Sequence, residues 1–233
     1  MKIIRNEFGH EYEKYRFGYC EYAELEPDDN VEDFYEKGFL PYSADPSIHD
    51  TFYMARSARL TLSSFEFSSE NRRIKKRFDD TFSNRSLSVK ESRDDSRIRK
   101  MFLNYFKLRH GKEVMPAERF DAILASPLPL RVIIYEKEKE LVAVVLEVAD
   151  ETFGHFWFSA YDLSYAKQSL GMWLMLDAVR NAKATGKKHY YIGTVYGEKA
   201  LYKTNLGSLE FWDGSTWSTD LTHLKKLARA ESK

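Results

Sequence analysis

The chain has 233 residues, with 36 Lys and Arg against 36 Asp and Glu, six His, one Cys and 43% hydrophobic residues. That length suits one large α/β domain or two small ones, and the apolar content, with aromatics at 15%, offsets chain entropy and excludes a disordered chain. The lone Cys20 excludes an internal disulfide and any Cys-based metal site. The longest apolar run, Leu141–Leu146, is far short of the roughly 20 residues of a membrane span, so a cytoplasmic protein with no membrane partner is expected.

The net charge of zero hides a strong segregation. Residues 1–50 hold 5 basic and 13 acidic side chains, whereas residues 51–110 hold 15 and 7. Residues 111–160 return to a net of −4 and residues 161–233 to +4. Blocks of this size either pair with each other across the fold or leave one positive face, so neutrality does not exclude a polyanionic partner.

Along the chain, Tyr12–Glu24 alternates aromatic and charged residues, as a half-buried strand does. Asn30 reads as the N-cap of a short helix over Val31–Lys37, with Gly38 as its stop. Phe52–Leu62 predicts one strand. Ser68 opens a capped, very basic helix over residues 68–78, and Ser83–Ser92 is a polar connection or an edge strand. Ile98, Met101, Phe102, Tyr105 and Leu108 recur at helical spacing over Ser92–Leu108, with Gly111 as the stop, and a second helix follows from Pro116. Strands are predicted over Arg131–Glu136, Leu141–Val148 and Phe153–Tyr161, the first two joined by the tight Lys137–Glu140 connection. A long helix over Ser164–Ala184, a buried strand over His189–Gly193, a short helix over Glu198–Thr204, a strand over Ser208–Trp212 and a terminal helix over Leu221–Ala230 complete the series. This order predicts a layered α/β fold: a smaller N-terminal part over residues 1–91 and a mixed sheet flanked by helices over residues 92–233. His189–Gly193 should return parallel to Phe153–Tyr161, and the two strands should splay apart where an acyl carrier can bind.

The chemistry-bearing residues cluster late in the chain. Gln168, Ser169, Leu170 and Gly171 open the long helix, where unpaired N–H groups favour an anion such as phosphate. Glycine there serves either a close ligand or simple packing. Phe158–Asp162 precedes this stretch, Tyr190–Gly193 follows it, and Leu201-Tyr202-Lys203-Thr204 comes next. The series resembles the C-terminal, GNAT-like (N-acetyltransferase-like) domain of the aminoacyl-tRNA–protein transferases, the arginyl- and leucyl-transferases of the N-degron pathway. The matching positions are Asp162, Ser169, Leu170, Gly171, Tyr191, Gly193, Tyr202 and Lys203. A second patch, Phe65–Arg77, is similar to that family's basic segment, although Asn71 and Phe67 stand where Gln and Pro are usual. The resemblance runs collinearly over about residues 50–212. It departs in lacking the family's N-terminal cysteines: Tyr53–Leu60 contains none.

What the resemblance implies is an enzyme that moves an amino acid from aminoacyl-tRNA to an amine on a protein, peptide or small molecule. Asp162, Tyr202 and Lys203 are the expected catalytic residues, with Asp162 taking a proton or holding the acceptor's ammonium group. Gln168, Ser169, Leu170, Gly171, Tyr191 and Gly193 would bind the substrate. Arg72, Arg73, Lys75, Lys76 and Arg77 would meet tRNA phosphates, with Arg56 and Arg59 extending the patch if their strand exposes that face. As a bare charge run, the same helix reads as merely solvated. No metal or resident cofactor is expected, because the histidines have no ligand spacing and no P-loop or dinucleotide fingerprint occurs. An acyl-CoA-dependent enzyme of the same fold is the alternative, since Gln168-x-x-Gly171 resembles a pyrophosphate loop, although Trp173 stands where Gly or Ala is usual. A non-catalytic tRNA- or protein-binding module on the same scaffold is a third reading.

Overall fold

A computed structural model describes residues 1–11 and 16–231, with side chains over 1–6 and 20–231. The predicted strand over Tyr12–Glu24 therefore lies partly outside the described residues. What is described there is β2 (Arg16–Glu24), paired antiparallel with β1 (Lys2–Glu11), a strand that the sequence did not signal.

Asn30 caps α1 (Val31–Glu36) by accepting from the Glu32 N–H, and Gly38, at φ +82°, ends it as expected. β3 (Phe39–Pro41) and β4 (Thr51–Met54) complete a small antiparallel sheet in the order β1-β2-β4-β3. The single strand predicted over Phe52–Leu62 is in fact two. β4 stays in the small sheet, while β5 (Ser57–Thr61) enters a second sheet of eight strands. Periodicity cannot register such a crossing, because both halves alternate alike.

Ser68 caps the basic helix α2 (Ser69–Phe78), as predicted, and β6 (Ser83–Leu87) is the edge strand. A short helix, α3 (Val89–Asp94), then precedes α4 (Ser96–Arg109), so the long predicted helix is interrupted; Asp95 caps the second piece by accepting from the Arg97 N–H. α5 (Ala117–Leu124) leads into β7 (Leu130–Lys137), β8 (Glu140–Ala149) and β9 (Phe153–Tyr161). The β7–β8 turn places Glu138 and Lys139 both at positive φ, matching a two-residue hairpin. After a 3-10 turn over Leu163–Gln168 come α6 (Leu170–Ala184) and β10 (His189–Thr194). A second 3-10 segment over Glu198–Asn205, β11 (Leu209–Trp212), β12 (Trp217–Ser218) and α7 (Leu221–Ala230) close the chain.

The large sheet runs β12-β11-β5-β10-β9-β8-β7-β6, with β9 and β10 parallel. The division expected at residues 91 and 92 does not follow the sheets. β5 and β6 both precede that point yet lie in the large sheet, β5 between β11 and β10. Helices cover both faces. Ile133 and Tyr135 pack with α6 and α2, whereas Val132 and Ile134 pack with α4 and α5. Two covered faces explain why β8 reads as a continuous apolar run rather than an alternating one. A third cluster joins the small sheet and α1 to Val148, Phe153 and Tyr191. No helix among the described residues is long and apolar enough to cross a membrane.

Candidate active site

β9 and β10 pair in parallel only from His189 opposite Phe153 to Tyr191 opposite His155. Beyond that point the register of β10 with β5 slips between Tyr191 and Thr194, and Gly193 turns to φ +78°. β9 also bulges: Leu146 faces Phe158 and Glu147 faces Phe156, leaving Trp157 as the extra residue. The strands therefore splay where the sequence placed the opening, and a cavity of about 570 Å³ fills it.

The cavity is lined by His155–Ser159 of β9 and Ile192–Thr194 of β10, with Tyr202 and Lys203 from the following 3-10 segment. α4 adds Tyr105 and Phe106, α5 adds Arg119, and the N-terminal part adds Tyr22, Tyr53 and Leu40–Ala44. The walls are thus aromatic. Every charged side chain in the described lining is a cation, with no Asp or Glu. This field suits an anion or a carbonyl oxygen rather than a cationic ligand.

Lys203 is 9% exposed, and its Nζ donates to the carbonyls of Ile192 (2.7 Å) and Thr194 (2.8 Å), on either side of Gly193. It pins the bulge that opens the splay, and burial pushes its pKa down to about 8. Two of its three protons are used, leaving one for a ligand. Tyr202 is half exposed at the cavity wall. Arg119 donates to the Val114 carbonyl (2.6 Å) and the Ser43 hydroxyl (3.1 Å), while its buried Nε has no partner.

Of the residues selected from sequence, the fold brings Gly193, Tyr202 and Lys203 together; the others lie elsewhere. Asp162 is exposed, lies outside the cavity lining and accepts from the Ser164 N–H at 2.9 Å, capping the 3-10 turn. Ser169, at φ +68°, separates that turn from α6, which is why the helix starts six residues later than its sequence suggests. Leu170 is fully buried in the core. A Cβ on Gly171 would stand 3.0 Å from the Tyr161 ring, so packing accounts for this glycine. Exposed Gln168 offers its carbonyl to Arg77 at 2.6 Å. Tyr191 is buried, and its hydroxyl lies 3.4 Å from both Arg59 and Glu36. Trp173 turns into the core, donating to Asp79 and standing edge-on to Tyr135, so it does not shield the start of α6.

The basic helix divides its cations. Asn71, Ile74 and Phe78 face inward, and Arg72, Arg73, Lys76 and Arg77 are exposed. Arg73 is paired with Glu70 at 2.6 Å, and Lys75 lies over the Phe67 ring. Arg56 and Arg59 do not extend this patch. Arg59 is 7% exposed, bound to Glu36 and Glu210 and stacked on Trp217; Arg56 is bound to Glu231.

Sequence reasoning missed His155 and Arg119. Among six scattered histidines nothing in the linear pattern separated His155, on a strand, from the rest. Arg119 sits on the helix after Pro116, where a single exposed-looking cation carries no linear signal of a site.

A family model described as the acetyltransferase (GNAT) domain matches residues 68–204. An aspartate/glutamate leucyltransferase of Cereibacter sphaeroides is 29% identical over 174 residues, covering 69% of this chain and 60% of that protein. The chain thus spans less than two thirds of the length of that relative. Among solved structures, L-PGS from Bacillus licheniformis is 12% identical with a TM-score of 0.49, covering 85% of this chain and 70% of that one. FemX is 8% identical with a TM-score of 0.45, covering 70% of this chain and 59% of that one.

Proposed function

The chain belongs to the acetyltransferase (GNAT) domain family, and from that premise we propose that it is an aminoacyltransferase, moving an amino acid from aminoacyl-tRNA to the amino group of a protein or peptide. The observation that carries this reading is the cavity in the β9–β10 splay: aromatic, cationic and without a carboxylate in its described lining. Its rings offer stacking faces for a terminal base of single-stranded RNA, which every base can use. Its cations suit the ester carbonyl and an acidic side chain on the acceptor. The similarity to a leucyltransferase named for aspartate and glutamate supports that acceptor class. Exposed Arg72, Lys76 and Arg77 supply a surface for the tRNA backbone.

An aminoacyl ester is already activated, so holding amine and ester in contact supplies much of the rate. Lys203 and Tyr202 act at the cavity in this reading, while Asp162 stays at its turn. The test incubates the protein with tRNAs charged with radiolabelled amino acids and with peptides beginning with Asp, Glu or Ala. Label that survives RNase on the acidic peptides is expected; no transfer with any charged tRNA would overturn the reading.

Donation from acyl-CoA is the second reading, favoured by one feature: the α6 N-terminus, which begins two residues after the Gln168 carbonyl that Arg77 bonds. Calorimetry separates the two, because micromolar binding of acetyl-CoA is expected only of a CoA enzyme.

A further inference from the structure

His155 is 2% exposed and lines the cavity. Its Nδ1 stands 2.9 Å from the hydroxyl of Tyr35, which is fully buried. Among the described residues this hydroxyl has no other hydrogen-bond partner. A buried O–H needs an acceptor, so Tyr35 donates to Nδ1, and the imidazole proton therefore resides on Nε2. That second nitrogen has no acceptor among the described residues, it is not one of the sealed buried atoms, and the residue that carries it lines the cavity. Burial, with the Lys203 ammonium as a second cause, pushes the His155 pKa down to about 3. An imidazole so weakly basic cannot take the amine's proton near neutral pH, which leaves donation as its chemistry.

We propose that His155 is a catalytic hydrogen-bond donor whose Nε2–H holds the carbonyl oxygen of the acyl group as the acceptor amine adds. Tyr35 is its positioning residue, fixing ring and tautomer. In the step served, the amine nitrogen bonds to the carbonyl carbon and the C=O electron pair moves onto the oxygen facing Nε2–H. The pair then returns, the ester C–O bond breaks, and the ribose oxygen leaves with the proton lost by the amine. The role rests on the acyltransfer reading above.

Two measurements test it. Nitrogen NMR of the wild-type protein carrying 15N-histidine should show His155 neutral and protonated on Nε2 throughout pH 5–8, and Y35F should move the population towards Nδ1–H. In transfer assays, H155F should lower kcat by about 10²–10³-fold, the usual loss for one oxyanion donor, while leaving KM for charged tRNA within about threefold. H155Q, which restores an N–H, should recover about tenfold of that loss. A wild-type His155 found as Nδ1–H, or charged at pH 7, overturns the proposal while leaving wild-type transfer intact, and so does an H155F protein with full kcat. A wild-type protein inert with every charged tRNA overturns the acyltransfer reading and this role with it.

Discussion

His155 makes the protein acid-sensitive in a definable window. Its pKa is about 3 in the fold, against 6.5 in the unfolded chain. Above pH 6.5 neither state binds the proton. As pH falls from 6.5 towards 3 the unfolded state binds it and the folded state does not, so stability is lost across that interval. The loss is on the order of 4 kcal/mol by pH 3. Urea unfolding from pH 7 to pH 4 should show it, and H155Q, which has no titrating group at this position, should show a flatter acid limb than the wild type. An identical slope in both proteins would mean that His155 is exposed to protonation in the native state. Nothing in the sequence could have drawn attention to this residue. Its importance lies in Tyr35, 120 positions away, which turns an ordinary strand histidine into a fixed tautomer.

At the scale of elements, the opening of the splay depends on β10 more than on β9. Gly193 takes a left-handed conformation, and Lys203 clamps the carbonyls on both sides of it. G193A should cost about 1–2 kcal/mol from positive-φ strain alone, because its Cβ would meet only Lys203 Nζ, at an ordinary 3.6 Å. K203M should cost more, about 2–4 kcal/mol, since it takes the donor from the buried Ile192 carbonyl and the half-buried Thr194 carbonyl. Urea midpoints with unchanged m-values would check the order; a K203M protein as stable as G193A would show the clamp to be dispensable. These elements were legible to different degrees. β7, β8, β9 and β10 are legible almost at their observed bounds, since buried strands carry dense local signals, whereas α6 is legible at its C-terminal end only, its start being displaced six residues by the 3-10 turn before Ser169. β3 and β12, of three and two residues, carry too little pattern to read, and β4 and β5 read as one strand because the change of sheet leaves no mark in alternation. Of the site, the motifs conveyed Gly193, Tyr202 and Lys203. Asp162 and Gly171 belong to the same motifs, but their local work is capping and packing.

Across the whole molecule, part of the charge segregation is consumed internally. Arg59 of the basic block is bound to Glu36 of the acidic one, and this pair helps join α1 to the large sheet. The Glu36 carboxyl, bonded first to His189 and then to Arg59, falls to about 2 and stays ionised through the physiological range. The exposed cations of α2 are not consumed in this way. Arg72 and Lys76 stand one turn apart on the same helix and line one shallow depression. Lys76 has no side-chain partner among the described residues, and Arg72 donates only to the Phe67 carbonyl. Arg73, by contrast, is held by Glu70, so it is the weaker candidate for a phosphate. If α2 meets the tRNA backbone, each contact releases counterions, and affinity falls linearly with salt on logarithmic axes. R72A combined with K76A should lower that slope by about 1.4–1.8, at roughly 0.7–0.9 per phosphate. All tRNAs should weaken alike, because phosphate contacts position the nucleic acid without reading its sequence. R73A should change the slope far less. Thermal stability should hardly move in either case, since exposed side chains of this kind contribute little to folding. Fluorescence anisotropy with labelled tRNA between 50 and 200 mM salt reads the slope directly. A double variant with unchanged slope and affinity would return α2 to a solvated helix and move the search for the RNA surface to the cations that line the splay.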